Sequence, residues 1–272
     1  MGRIIGICNQ KGGTGKTTTS INIASYLALA NRKTLLIDMD PQGNATSGVG
    51  VEREGKNSIY EVIMGDAKIE ESIYPTTWAN LFVIPSHMAL TGGEIELVNA
   101  ANRETKLKRE LEKVKDEFSY LIIDAPPSLG LLTLNVLAAA DGIIVPVQCE
   151  YYALEGVSNL LNTIELVKER VNAKLEIDGV LLTMGDFRTK LTLQVIEEIR
   201  NYFKEKAFNT VIPRNIKLAE APSFGQPIHF YDADCVGAKA YLALAQEVMK
   251  EKLQPEKGEN VSNILIANEL HK

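Results

Sequence analysis

The chain has 272 residues, of which 45% are hydrophobic and 24% charged, a balance that excludes an intrinsically disordered or fibrous protein. Its formal net charge of −6 means that the molecule as a whole repels polyanions, so a nucleic-acid contact would need a local basic patch. The three cysteines, Cys8, Cys149 and Cys235, are far apart and lack Cys-x-x-Cys spacing, which argues against a disulfide framework or a zinc knuckle.

Short runs rich in Ile, Val and Leu recur along the chain and predict strands. They are apolar throughout rather than alternating, as expected for strands that are covered on both faces. They lie at residues 3–8, 33–38, 81–86, 120–124, 142–147, 179–184 and 209–213. Helical patterns lie between them, at residues 17–30, 104–117, 154–170, 191–206 and 237–252. This alternation predicts an α/β fold with a doubly wound, mostly parallel twisted sheet, helices on both faces, and ligands at the carboxyl ends of the strands.

The sequence shows no internal repeat, and its composition shifts only at the polar, breaker-rich residues 254–260. We therefore predict a single domain over residues 1–253 and a flexible C-terminal tail over residues 254–272. The N-terminus lacks the apolar stretch of a secretory signal. The most apolar region, residues 131–147, is interrupted by polar residues and falls short of the roughly 20 apolar residues of a membrane span. We expect a cytoplasmic protein.

A glycine-rich motif, NQKGGTGKTTT at residues 9–19, follows the first predicted strand and opens the first predicted helix. This context favours a loop whose backbone N–H groups form a concave anion site at a helix N-terminus, suited to a triphosphate. We expect Lys16 to lie along the β- and γ-phosphates, the Thr17 hydroxyl to ligate Mg²⁺ and Thr18 to hold the α-phosphate. The predicted nucleotide-binding residues of this loop are Lys11, Gly12, Gly13, Thr14, Gly15, Lys16, Thr17 and Thr18.

The loop is a variant of the usual G-x-x-x-x-G-K-[ST] pattern, because Gln10 stands at the first glycine position and Lys11 adds a second lysine. A lysine in a loop is most often a solvated surface charge. A second cation so near the phosphates instead indicates charge stabilisation, either in cis or towards a partner subunit's nucleotide, as arginine fingers act in trans. The residues alone leave both roles open for Lys11.

Three aspartates follow predicted strands at the edge where the phosphate loop should lie. We expect Asp38 to support Mg²⁺ through water, and Asp40 to orient or deprotonate the attacking water. Capping of the next helix is the alternative for both. Asp124 resembles the acid of a Walker B strand that holds Mg²⁺ through water, because a buried carboxylate directly after an apolar run is costly without a cation.

Four motifs together resemble those of the ParA/Soj chromosome-partitioning ATPases: residues 11–18, 38–48, 122–130 and 211–215, within a similarity that covers about residues 2–253. The resemblance implies a bacterial or archaeal P-loop NTPase of the deviant Walker A type that hydrolyses ATP with Mg²⁺, weakly when alone. It implies an ATP-bound sandwich homodimer in which Lys11 contacts the partner's phosphates. It also implies that Lys16 and Asp40 are catalytic, and that Pro213 and Asn215 contact adenine.

The resemblance further implies that the ATP-bound dimer binds double-stranded DNA without sequence preference and so associates with the nucleoid. A ParB/Spo0J-type centromere-binding protein would stimulate hydrolysis and thereby release the DNA. The candidate DNA contacts are Arg188 and Lys217, with Lys190 in the same segment as Arg188. Residues 186–217 carry seven basic and four acidic residues, which supports a phosphate-binding patch, although a solvated face explains the same charges equally well.

Three alternative functions share the phosphate loop. A MinD-like membrane-associated positioning ATPase needs a basic amphipathic C-terminal helix, whereas residues 250–272 carry four basic and four acidic residues, so we expect no membrane partner. An iron–sulfur carrier needs thiolates at a dimer interface, for which the three scattered cysteines are poorly suited. A nucleotide-gated scaffold without useful turnover is the non-enzyme alternative.

Overall fold

In a computed structural model, residues 2–150 and 153–250 are described, and their strands form one sheet. The strands are β1 (Arg3–Ile7), β2 (Thr34–Asp38), β3 (Tyr74–Pro75), β4 (Leu81–Ile84), β5 (Tyr120–Asp124), β6 (Gly142–Gln148), β7 (Glu176–Gly185) and β8 (Ala207–Pro213). Their order in the sheet is β3-β4-β2-β5-β1-β6-β7-β8. Neighbouring strands are parallel except β3 and β4, which are antiparallel.

The helices lie on both faces of this sheet. They are α1 (Lys16–Leu29), α2 (Asn44–Gly48), α3 (Ile59–Met64), α4 (Leu90–Leu97), α5 (Lys106–Val114), α6 (Leu131–Ala139), α7 (Glu155–Arg170), α8 (Lys190–Phe203), α9 (Ile216–Glu220), α10 (Ile228–Tyr231) and α11 (Val236–Met249). Short 3-10 helices cover Ile69–Ser72, Arg103–Thr105, Lys115–Glu117, Lys204–Lys206 and Ala221–Phe224. None of the helices in residues 2–150 and 153–250 has the length and apolar character needed to cross a membrane.

Alternate strand residues belong to two separate apolar clusters, because successive side chains of a strand point to opposite faces. In β2, Leu35 and Ile37 belong to the cluster that contains residues of helices α3 to α8, whereas Leu36 belongs to the cluster that contains residues of α1, α2 and α9 to α11. All three side chains are buried. The predicted doubly wound α/β fold is therefore confirmed, with a core on each face of the sheet.

Each edge of the sheet has a feature that limits pairing with a further strand. The edge strand β3 has two residues, one of which is a proline without an N–H group. At the other edge, the register between β7 and β8 shifts around Asn209 and Thr210. The Glu247 carboxylate of α11 accepts both of their amide hydrogens, at 2.9 and 2.8 Å, and Arg200 of α8 donates to the Asn209 carbonyl at 2.9 Å.

The parallel register aligns the carboxyl ends of the central strands. Asp38 at the end of β2 is paired with Asp124 at the end of β5, and Asp124 is also paired with Ile7 of β1. The loop of residues 8–15 leaves β1 at the same edge, so the fold itself brings the motif aspartates to the glycine-rich loop. The predicted tail, residues 254–272, lies outside the described residues, and the single domain over 1–253 stays a prediction.

Candidate functional site

The glycine-rich loop has the open, curled backbone that the sequence predicts. Gly13 and Gly15 have φ angles of 73° and 85°, in the left-handed region that favours glycine. A Cβ atom added at Gly12 would meet no atom within 4 Å, so the loop borders open space at this residue. Gly15 immediately precedes the first residue of α1, so the loop ends at a helix N-terminus, where backbone N–H groups favour an anion.

Lys16 is buried although it carries an ammonium group. Its Nζ donates to the carbonyl of Lys11 at 3.0 Å, so the side chain folds back along the loop. Burial lowers the pKa of Lys16, while the nearby carboxylate of Asp124 opposes that shift. A buried cation at an open anion site is suited to a phosphate group, which would replace the hydration that this ammonium lacks.

Asp124 is fully buried and accepts hydrogen bonds from two hydroxyl groups of α1. Thr17 Oγ1 donates to its Oδ2 and Ser20 Oγ to its Oδ1, both at 2.8 Å. Because Thr17 uses its hydrogen for Asp124, an oxygen lone pair stays available to a metal ion. Residues 17 and 20 lie one turn apart on the same helix face, which explains why both reach one carboxylate.

Asp38 is also fully buried and is held by Thr46 of α2. Its Oδ2 accepts from the Thr46 backbone N–H at 2.8 Å and from the Thr46 hydroxyl at 2.7 Å. Burial raises the pKa of both Asp38 and Asp124. The nearby Asp38 carboxylate raises the pKa of Asp124 further, and Asp40 does the same for Asp38. Two buried carboxyls are costly to ionise together unless a cation neutralises them. With the lone pair of the Thr17 hydroxyl oxygen beside them, they fit a divalent cation such as Mg²⁺.

Asp40 lies near these groups but in a loop and has a small exposed fraction of 8%. Its Oδ1 accepts from the backbone N–H of Gln42 at 3.0 Å, and its own N–H donates to Asp38 at 3.2 Å. The helix that follows, α2, begins after Gly43, which occupies the N-cap position without a side-chain cap. Asp40 therefore does not cap that helix, whereas Asp38 does accept one of its first amides.

Lys11 is placed at the rim of the loop rather than over it. Its Nζ lies 3.0 Å from Oε2 of Glu150, just after β6, and both side chains are about half exposed, at 43% and 49%. The Lys11 backbone N–H donates to Asn9 Oδ1 at 3.0 Å. Of the two loop lysines, Lys16 is thus buried and bonded within the loop, whereas Lys11 is exposed and paired outside it.

The remaining predicted nucleotide residues lie at the same edge of the sheet. Thr18 stands one position after the Mg²⁺ candidate Thr17 on α1, and its carbonyl accepts from Asn22 at 2.8 Å. Pro213 ends β8. Asn215 caps α9, its side-chain oxygen accepting the Lys217 N–H at 2.8 Å. The adenine-contacting role of Pro213 and Asn215 stays a prediction.

The structure brings the two predicted DNA-contacting segments together at the ends of β7 and β8, where the N–H of Arg214 donates to the carbonyl of Gly185 at 3.0 Å. The Arg188 side chain is 88% exposed and forms a two-pronged pair with Asp186, at 2.8 and 2.7 Å. Lys190 is the exposed first residue of α8.

Lys217 lies 3.1 Å from Glu220 and 5.4 Å from the ring centre of Tyr231. Two of the three candidate cations, Arg188 and Lys217, are therefore paired with neighbouring acids. A phosphate backbone would have to compete with these carboxylates for the same donors.

Sequence reasoning missed several residues that hold the site. Ser20 had a usable signal, since a hydroxyl three residues after Thr17 shares its helix face. Gln148, Glu150 and Thr183 had none, because each meets the loop through contacts between distant parts of the chain. Thr46 lies only eight residues after Asp38, within the motif of residues 38–48, but no spacing rule singled it out.

Comparison with known proteins identifies the family. Residues 2–177 match the family described as AAA domain. The sporulation initiation inhibitor protein Soj of Bacillus subtilis is 56% identical over 249 residues, 91% of this chain and 98% of that protein. The chromosome-partitioning ATPase Soj of Treponema pallidum is 50% identical over 249 residues, 92% of this chain and 98% of that protein.

A solved structure resembles the fold closely. Cobyrinic acid a,c-diamide synthase from Mycobacterium smegmatis, crystallised with an ATP analog and magnesium, is 35% identical with a TM-score of 0.75, over 86% of this chain and 97% of that one. The alternating α/β architecture agrees with this structural similarity. The chain belongs to the Soj/ParA family of chromosome-partitioning ATPases.

Proposed function

We propose that this ATPase is a nucleotide-dependent DNA-segregation switch: ATP closes a sandwich homodimer, the dimer binds DNA without sequence preference, and hydrolysis releases it. The observation that carries the proposal is the contrast between the two loop lysines. Lys16 is buried and bonded to its own loop, while the side chain of Lys11 is half exposed and forms a surface pair with Glu150. Lys11 is thus available to a nucleotide bound by a second copy of the chain.

The nucleotide would be ATP with Mg²⁺, as in the related synthase structure crystallised with an ATP analog and magnesium. The loop from Lys11 to Thr18 would bind the triphosphate, with Lys16 as its buried counter-charge. Thr17, Asp38 and Asp124 would hold the metal, Thr17 directly and the aspartates through water. When bound, Mg²⁺ supplies charge neutralisation at the β- and γ-phosphates.

Asp40 is the residue that we assign to hydrolysis. One oxygen of its carboxylate is held by the Gln42 N–H, which fixes the orientation of the group while the other oxygen can meet water. Its 8% exposed fraction keeps it at the boundary between protein and solvent. Asp40 would therefore orient or deprotonate the attacking water, while Lys11 and Lys16 stabilise charge on the transferring group.

The DNA-binding part of the proposal depends on the adjacency of the segments that carry Arg188, Lys190 and Lys217. They leave the ends of two neighbouring strands, and a backbone bond between Arg214 and Gly185 links them. A dimer would present this basic set twice. Binding would be electrostatic, since exposed Arg and Lys side chains neutralise phosphates without reading bases.

Cosedimentation with DNA of random sequence, in ATP, ADP or no nucleotide, tests the switch. We expect pelleting with ATP that falls steeply as salt rises, and little pelleting in the other two states. Equal DNA binding in all three states would contradict the proposal, because a ligand shifts an equilibrium only through its different affinity for the two states. Asp40→Ala with ATP is the matched control, expected to pellet but not to turn over.

We further propose a centromere-binding partner of the ParB/Spo0J type that accelerates hydrolysis, and a cytoplasmic location on the nucleoid. The MinD-like alternative predicts instead that ATP drives the protein onto lipid. Cosedimentation with anionic liposomes distinguishes the two. No ATP-dependent pelleting with liposomes is expected, and robust pelleting would favour the membrane-associated alternative.

A further inference from the structure

Two carbonyl groups of the glycine-rich loop are held from outside by the ends of neighbouring strands. Gln148, the last residue of β6, donates from Nε2 to the Gly13 carbonyl at 2.8 Å. Thr183 of β7 donates from Oγ1 to the Thr14 carbonyl at 2.9 Å. Gly13 and Thr14 follow each other directly in the loop, so two successive peptide groups just before Lys16 are anchored.

The anchoring sets the direction of the amides that must meet an anion. In a trans peptide the C=O and the N–H of the next residue point in opposite directions. Fixing the Gly13 and Thr14 carbonyls towards β6 and β7 therefore turns the N–H groups of Thr14 and Gly15 away from those strands. An inward row of N–H groups is what a loop of this kind uses to bind phosphate oxygens.

One of the two anchoring hydrogen bonds is buried. Thr14 and Thr183 are nearly fully buried, with 1% and 2% exposed, so their hydrogen bond is shielded from water. The N–H of Cys149 donates to the Thr183 carbonyl at 3.0 Å, which ties the ends of β6 and β7 to each other. Gln148 Nε2 also lies 3.1 Å from the sulfur of Met184.

We propose that Thr183 and Gln148 are positioning residues for nucleotide binding, which hold the phosphate loop in its anion-binding conformation before nucleotide arrives. The proposal rests on the proposed function, because it assumes that the loop binds a nucleotide. Neither side chain has to touch the nucleotide. Each acts on a peptide group of the loop, and the loss of either lets that peptide rotate so that its N–H is no longer directed at the phosphates.

The test compares ADP affinity, measured by calorimetry in the presence of Mg²⁺, with the melting temperature of the nucleotide-free protein. Thr183→Val keeps the shape and removes the donor, and it should weaken ADP binding roughly fivefold to tenfold, the worth of about one hydrogen bond. Thr183→Ser restores the donor and should bring the affinity back to within about twofold. Gln148→Met should weaken binding in the same direction.

Thr34→Val is the matched control. Thr34 is another buried threonine that donates to a backbone carbonyl, that of Arg32 at 2.7 Å, but it lies at the opposite end of the sheet. Its loss should lower the melting temperature and leave ADP affinity unchanged. A merely structural role for Thr183 would give the same pattern as Thr34.

The inference is overturned if wild type binds ADP and Thr183→Val binds it equally well, or if Thr183→Ser fails to rescue. If wild type itself binds no nucleotide, the proposed function fails instead, and the two failures are thereby separate. A variant that weakens ADP binding without lowering the melting temperature of the free protein gives the clearest support.

Discussion

The ammonium group of Lys11 lies 3.0 Å from a carboxylate oxygen of Glu150, which follows the strand beside the phosphate loop. Both side chains are about half exposed, so the pair is a surface ion pair of the kind that contributes about 0–1 kcal/mol. Such a pair is readily exchanged for the phosphates of a nucleotide. In the proposed dimer, Glu150 would therefore compete with the partner's nucleotide for Lys11.

Removing that competitor should favour dimer formation. Glu150→Gln is expected to lower the protein concentration at which ATP produces a dimer, by a few-fold, since a weak pair no longer has to be broken. The concentration dependence of the dimer is measured by sedimentation velocity with ATP. Both Glu150→Gln and its reference protein carry Asp40→Ala, so that ATP is not consumed. Lys11→Ala should abolish the ATP-dependent dimer altogether. A normal dimer of Lys11→Ala would refute the trans role.

Asp40→Ala should separate binding from hydrolysis. Its carboxylate is not bonded to any of the loop residues from Lys11 to Thr18 among the contacts described, and its one described acceptor contact is with Gln42. We expect ATP and DNA binding within about threefold of wild type and a fall in turnover of at least roughly a hundredfold, the scale of general-base catalysis. Steady-state phosphate release measures turnover. Unchanged hydrolysis would remove Asp40 from the mechanism.

Asp124→Asn should stabilise the nucleotide-free protein. Burial holds the pKa of Asp124 above the ordinary aspartate value of about 3.9, so above that pH the folded state binds more protons than the unfolded state. The contribution of Asp124 to the stability of the free protein therefore falls as pH rises from about 4 to about 8, and the asparagine removes this pH-dependent contribution. At pH 8 we expect a higher melting temperature, by roughly 2–4 °C per kcal/mol gained.

The same change should weaken nucleotide binding in Mg²⁺, because a carboxylate predicted to support the metal is lost. Asp66→Asn, at an exposed aspartate after α3, is the control and should alter neither property. A lower melting temperature for Asp124→Asn at pH 8 would show that its hydrogen bonds with Thr17 and Ser20 outweigh the cost of burying the carboxylate.

Arg188→Ala should reduce the salt dependence of DNA binding. Each phosphate contact contributes a slope of about 0.9 in log affinity against log salt, so a dimer should lose roughly 2 units. Asp186→Asn frees the Arg188 guanidinium from its two-pronged pair and should tighten binding. Fluorescence anisotropy over a salt series measures both. Lys68→Ala, at an exposed lysine paired with Glu71 at 3.6 Å, should change neither slope nor affinity.

The long apolar strands could be predicted because burial on both faces requires continuous Ile, Val and Leu. Strand β3 could not, since Tyr74–Pro75 is too short to show any period. Helix α4 (Leu90–Leu97) was also missed, because Gly92 and Gly93 weaken its helical pattern. The predicted helix at residues 104–117 is correct in place, but its ends form 3-10 turns around α5.

Within the site, the residues that belong to a sequence motif could be predicted, whereas the residues that contact the motif from distant parts of the chain could not. Lys16, Thr17 and Asp124 follow from strand, loop and helix in order along the chain. Thr183 meets Thr14 across 169 residues, and no spacing in the sequence encodes that contact. It arises because parallel strands bring their carboxyl ends to one edge, where any polar side chain can serve the loop.

The two edges of the sheet limit how two copies of the chain can associate. One margin ends in a two-residue strand with Pro75, and at the other the Glu247 carboxylate occupies the amides of Asn209 and Thr210. Side-by-side extension into a continuous sixteen-stranded ribbon is therefore disfavoured. In the proposed dimer, contact through the loop-bearing end of the molecule would make assembly and disassembly follow the nucleotide that the loops bind.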